Sequence, residues 1–234
     1  MDLEVEALLF KRPSSQQRKN FKSTLFVERS TKLKREVWIY SLLAHLIWIE
    51  LEADPHVLEY NEAPRPIPIP IDNRILEHQF RFAVRRDDGT VQVIVTKSNH
   101  QTSNEDVVSD PLPESRELQA IRAWSQSQGV ECRYLTTESF AGMGPKLANF
   151  RKMLKFIETA SGSHLPHEDE TIQNTIRLLA PVQIRRVLQS LAQFEETKVI
   201  AVIARNILNG HYSAAIDRRE FDGLLVINFE DKKS

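Results

Sequence analysis

The sequence predicts a mixed α/β domain followed by a small helical domain of winged-helix outline. Two alternating apolar segments, QFRFAVR at 79–85 and VQVIVTK at 91–97, flank the turn residues Asp87-Asp88-Gly89 and predict a β-hairpin. Helical patterns then alternate with a strand as far as residue 158, the arrangement of an α/β layer. Past a polar stretch at 161–170, three helical patterns are followed by two short apolar strands. The length of 234 residues suffices for one full core and a second small one, and 41% hydrophobic content excludes a disordered or fibrous chain.

A basic arm comes first. Residues 11–35 hold nine Lys or Arg (Lys11, Arg12, Arg18, Lys19, Lys22, Arg29, Lys32, Lys34, Arg35) and one acid, Glu28. Such a segment is either a solvated face or an arm that lies along a phosphate backbone. From Ser30, the stripe Leu33, Val37, Tyr40, Ala44, Ile47 has helical spacing and predicts a helix running to Asp54-Pro55, with Ser30 or Thr31 as N-cap. Pro64, Pro66, Pro68 and Pro70 alternate in PRPIPIPID, which restricts that segment to an edge strand or extended chain. After the hairpin, residues 98–114 read as a loop, about 114–128 as a helix stopped by Gly129, VECRYLTT as a strand and KLANFRKMLKFIE as a helix. The linker SGSHLPHEDE is followed by helices at 171–180, 182–193 and 196–209, closed by Gly210, and by strands in HYSAAID and GLLVINF. The expected organisation is therefore an arm at 1–29, a domain at 30–162 and a C-terminal domain at 163–234.

Composition narrows the function classes. The longest apolar stretch, Val37 to Leu51, is interrupted by Ser41, His45 and Glu50 and falls short of a membrane span. The single cysteine, Cys132, cannot form an internal disulfide, and its apolar strand predicts a buried structural thiol. An acidic N-terminus without a cleavage site predicts a cytoplasmic protein. The net charge of −1 from 31 Lys plus Arg and 32 Asp plus Glu argues against a nucleic-acid partner only if charge is evenly spread, and the arm shows that it is not. No glycine-rich phosphate loop is present. His164 and His167 with Glu168 and Asp169 have metal-like spacing but sit in the linker, where they read as a solvated hinge.

Several segments taken in order resemble the TnsA family, the endonuclease subunit of heteromeric DNA transposases. They are SLLAHLIWIELEADPHVLEYNEAP at 41–64, FAVRRDDG at 82–89, VIVTK at 93–97, QGVECRYLTTES at 128–139 and KLANFRKMLKFIE at 146–158. The resemblance implies a restriction-endonuclease-like N-terminal domain and a winged-helix-like C-terminal domain. It also implies DNA, a TnsB-like transposase and a TnsC-like ATPase as partners, with a second TnsA-like subunit as a further candidate.

The family's catalytic positions are where this chain departs from it. Enzymes of this fold hold divalent metal ions with two or three carboxylates and use a nearby lysine to stabilise the developing charge. The first acid, eight residues before the Glu of a Leu-Glu pair, falls on Ala44, since the pair here is Leu51-Glu52. The second, eight residues before the turn glycine Gly89, falls on Arg81. The third, two residues before a lysine, falls on Val95, so that only Lys97 remains. A site of this composition offers no carboxylate, and its arginine repels a divalent cation. The expectation is a catalytically degenerate, DNA-binding and assembly subunit that needs no cofactor, with Arg81, Lys97, Arg18, Lys19, Lys22, Lys32, Lys34 and Arg35 on the DNA.

Two alternatives follow from the same residues. One is an active Mg²⁺-dependent endonuclease cutting at transposon ends, with Glu77 as a relocated acid if residues 77, 79 and 81 share a strand face. In that geometry Arg81 could equally pair with Glu77. The other is a regulatory winged-helix protein whose first domain only dimerises.

Overall fold

The computed structural model describes residues 2–11, 24–71, 74–96, 116–163 and 166–229. It is a mixed α/β structure with several small sheets and, among the described residues, seven α-helices. By contact clustering the chain divides into two compact units, one of Met1–Phe26, Trp38–Ala44 and His56–Ser139, the other of Val27–Val37, His45–Pro55 and Phe140–Ser234. The division differs from a cut at 162/163, because residues 144–159 cluster with the C-terminal unit.

Helix α1 (Leu3–Phe10) is capped by Asp2, whose carboxylate accepts the Glu4 N–H at 3.0 Å. The next elements correct the expected helix from residue 30. Residues 25–40 form instead a two-stranded hairpin, β1 (Leu25–Ser30) and β2 (Arg35–Tyr40). Two features override the helical spacing. Val37 and Ile39 are buried while Glu36 and Trp38 are exposed, a period of two carried by β-branched and aromatic residues. Lys34 and Ser41 both have positive φ, 55° and 92°, which an α-helix does not accommodate. Helix α2 (Leu42–Ala53) therefore starts after Ser41, whose hydroxyl accepts the Ala44 N–H at 3.3 Å, and it ends before Pro55.

The first unit is built on a four-stranded sheet of order β3-β6-β7-β8, from β3 (Val57–Asn61), β6 (Phe82–Arg86), β7 (Val91–Thr96) and β8 (Glu131–Leu135). The hairpin β6–β7 forms as its turn residues predict, with Gly89 supplying φ 82°. β3 joins β6 antiparallel and β8 joins β7 parallel, the latter pair requiring a crossover that includes α3 (Arg116–Gln128). β4 (Ile67–Ile71) and β5 (Arg74–His78) form a separate antiparallel ribbon. There the alternate prolines have their predicted consequence: Ile67 and Ile69 are buried, and Pro68 and Pro70 point to solvent. The core of this unit gathers Ile67, Ile69, Phe80, Val93, Ile121 and Trp124.

The second unit holds α4 (Gly144–Thr159), α5 (Pro166–Leu179), β9 (Val182–Gln183), α6 (Ile184–Ser190), α7 (Glu196–Leu208), β10 (Tyr212–Ser213) and β11 (Val226–Phe229). Its sheet order is β10-β11-β9, both pairings antiparallel. The expected linker is shorter than the sequence suggested, since α5 already begins at Pro166. Glu168 and Asp169 are not a solvated hinge: Glu168 pairs with Lys198, and Asp169 accepts from Arg205 at 2.7 Å, so both tie α5 to α7. α7 is the buried centre of this unit, with Val199, Val202, Ile203 and Ala204 all within 1% exposure, and Met153 of α4 lies in the same core. Asn149 of α4 fixes the segment before β11 by donating to the Ile216 and Arg219 carbonyls, 2.7 Å each, and accepting the Phe221 N–H at 2.8 Å.

Candidate nucleic-acid interface

The β6–β7 hairpin brings together two of the three positions counted from the resemblance, Arg81 and Val95. Arg81 immediately precedes β6, and its backbone N–H donates to the Ile94 carbonyl at 2.8 Å, one residue from Val95 on β7. Lys97, two residues past Val95, lies outside the described residues. Val95 is packed in the apolar core of the first unit. Ala44 is buried in the first turns of α2.

Arg81 differs from its neighbour Arg85 in how its charge is met. Arg85 donates to Glu59 at 2.7 Å and to Glu6 at 2.6 Å and lies over the Phe10 ring, 4.6 Å from its centroid. Those two carboxylates raise its pKa. The Arg81 guanidinium has no hydrogen-bond or ion-pair partner among the described residues, and its pKa is lowered by burial alone. A half-buried cation without a counter-charge is one that an anion would stabilise.

Glu77 does not stand beside it. The strand face expected to run through 77, 79 and 81 is interrupted: β5 ends at His78, β6 begins at Phe82, and Glu77 sits exposed on the ribbon opposite Pro68. The expected shared face and the expected Glu77–Arg81 ion pair are both absent from the structure. The break at 79–81 arises because Phe80 turns into the core, where it meets the Trp124 ring with centroids 5.3 Å apart.

The described part of the basic segment is folded into the β1–β2 hairpin. Lys32 donates to the Asp54 carbonyl at 2.8 Å and is partly buried. Burial lowers its pKa against the opposing pull of Glu52 and Asp54. Its role in the structure is to latch the hairpin turn onto the end of α2. Arg35 reaches the Glu36 carbonyl at 3.1 Å, and Lys34 is exposed at the turn. Arg18, Lys19 and Lys22 lie outside the described residues.

The acid that organises this turn is distant in sequence and carries no local signal. Glu52 is buried and accepts from the Ser30 hydroxyl, from the Thr31 N–H at 3.0 Å and from the Thr31 hydroxyl at 2.8 Å. Ser30 and Thr31 thus serve a strand turn, not a helix N-terminus, and only the hairpin reading would have paired them with residue 52. Nearby, His45 meets Glu28 at 2.9 Å and stacks on Trp48. Cys132, expected to be fully buried, is half-buried on β8 opposite Val93. His167 is exposed on the first turn of α5, and His164 lies outside the described residues. Among the described residues, no group of three or more His, Cys, Asp or Glu is placed to hold a metal ion, and no helix is long and apolar enough to cross a membrane. No protein-family model matches the chain, and no curated protein matches it.

Proposed function

We propose that this chain is a TnsA-like subunit of a DNA transposition complex that holds DNA without cutting it and works in assembly with a transposase and an ATPase. The observation that carries the reading is Arg81. It stands where the resemblance puts a metal-binding aspartate, just before β6 with its backbone N–H bonded to β7, and without a carboxylate partner among the described residues. A guanidinium there suits a backbone phosphate in place of a metal ion.

The sheet supports this reading at the level of geometry. A nuclease of this kind needs its second acid just before one strand and its third at the end of the next, and an antiparallel hairpin such as β6–β7 makes those ends neighbours. The C-terminal unit, with three helices followed by paired short strands, is compatible with a winged-helix-like domain. Its last helix, α7, is enclosed by its own unit and leaves almost no face for a DNA groove. That favours protein docking as the role of this unit.

The test is the salt dependence of DNA binding by the full chain, measured by fluorescence anisotropy on a labelled duplex. Each lost phosphate contact lowers the slope of log K against log salt by roughly 0.9. Arg81→Ala is expected to lower it by about one contact, and Arg81→Ala/Lys97→Ala by about two. An unchanged slope in the double variant overturns the phosphate clamp.

A further inference from the structure

The second unit has an open groove of about 620 Å³ where the end of α5, β9, α6 and β11 meet. Its apolar lining includes Leu179, Pro181, Val182 and Val226, and its charged lining is Arg185 and Arg186, with no acidic side chain among the lining residues. Leu179 and Val226 remain 39% and 38% exposed. The chain neighbours Leu178 and Leu224 are 86% and 53% exposed. Isolated surface leucines need no explanation, but two exposed apolar side chains, Leu179 and Val226, lining the same groove as two arginines mark an interaction surface.

Local structure explains why the groove is presented rigidly. The Ile184 and Arg185 N–H groups donate to the Leu225 and Gly223 carbonyls at 3.0 and 2.9 Å, locking the start of α6 to the turn before β11. Gly223 lies against Arg185, where an added Cβ would meet the Arg185 Cβ at 3.4 Å. Arg185 is further oriented by Gln183, its Nε donating to Oε1 at 2.9 Å. Arg186 has no ion-pair partner among the described residues. Arg185 is thus held in the groove lining, with Arg186 beside it in the chain.

We propose that this groove is a docking site for a short acidic peptide segment of a partner protein, anchored by apolar side chains on the Leu179–Val226 floor and by carboxylates on Arg185 and Arg186. Charge complementarity selects the occupant, because a lining with two arginines and no acidic side chain repels a basic segment and pairs bidentately with carboxylates. The exposed apolar side chains beside the two arginines favour a peptide over nucleic acid. Phosphate-binding surfaces are polar and strongly basic, whereas a peptide-binding groove combines apolar anchors with a few charged residues. This inference stands on the C-terminal unit alone and does not depend on the role of Arg81.

A library of random dodecapeptides displayed on phage, panned against the full chain, tests it. Enriched peptides are expected to combine two or more Asp or Glu with Leu, Phe or Trp. Synthetic versions of them are expected to lose at least tenfold in affinity to Arg185→Glu/Arg186→Glu and to Val226→Ser. All three substitutions are at exposed positions, and unchanged thermal melting confirms that the variants are folded. Enrichment of basic or neutral peptides, no enrichment at all, or binding indifferent to these variants overturns the proposal. So does loss of duplex-DNA binding, in place of peptide binding, in the double arginine variant.

Discussion

Glu52 shows how one side chain decides a local fold. Its carboxylate is buried and accepts three hydrogen bonds, from the Ser30 hydroxyl, the Thr31 N–H and the Thr31 hydroxyl. Removing it leaves buried donors unsatisfied, at a cost of about 1–3 kcal/mol for each that finds no water. Glu52→Ala is expected to destabilise the protein by about 2–4 kcal/mol in urea denaturation, with Glu52→Gln costing less. A change under about 0.5 kcal/mol would show that the turn holds without it. His45 and His78 add a pH dependence. Burial lowers both pKa values, with Glu28 and Glu117 respectively acting in the opposite sense. A histidine with a depressed native pKa binds its proton more readily when unfolded, so stability is full above the unfolded value of about 6.5 and falls as pH drops below it. The melting temperature is expected to decrease between pH 7.5 and 5.5, and less so in His45→Gln. Equal decreases in the two proteins would remove His45 from the explanation.

Helix α4 is the element whose position matters most. It contributes Met153 to the core around α7 and, through Asn149, three hydrogen bonds to the segment before β11. A fragment of residues 163–234 therefore lacks one wall of its core, and a fragment beginning at 140 restores it. The shorter fragment is expected to show no cooperative thermal transition by circular dichroism and to bind a hydrophobic dye, whereas the longer one melts cooperatively. Cooperative melting of 163–234 would contradict the placement of α4 in that core. The elements also show what a sequence discloses. The β6–β7 hairpin was legible because alternation and an Asp-Gly turn agree there, and the proline ribbon because proline has few options in a sheet. The β1–β2 hairpin was not, because Leu33, Val37, Tyr40 and Ala44 satisfy a helical period by accident while Lys34 and Ser41 take conformations that no residue type announced. β9 and β10, at two residues each, are too short to leave a pattern.

For the whole molecule, the net charge of −1 conceals an uneven distribution. The acids that face cations are mostly engaged within their own unit: Glu6 and Glu59 on Arg85, Glu168 on Lys198, Asp169 on Arg205. Arg81 is outside these pairings, and with Ala44 and Val95 it occupies a position that the TnsA resemblance would assign to a metal ligand. The three positions were legible only through the resemblance, by counting from Gly89 and Leu51-Glu52. Arg81's lack of a charge partner among the described residues and the place of Glu77 on the ribbon were not, because both depend on β5 ending at His78 and β6 beginning only at Phe82. The most direct test of a DNA-holding, non-cleaving subunit is incubation of supercoiled plasmid with the full chain in Mg²⁺ or Mn²⁺, alone and with the proposed transposase and ATPase, read on one gel for both retardation and nicking. The account predicts retarded plasmid that returns to the supercoiled form after deproteinisation. Nicked circles made by the chain and abolished by Glu77→Ala would contradict it.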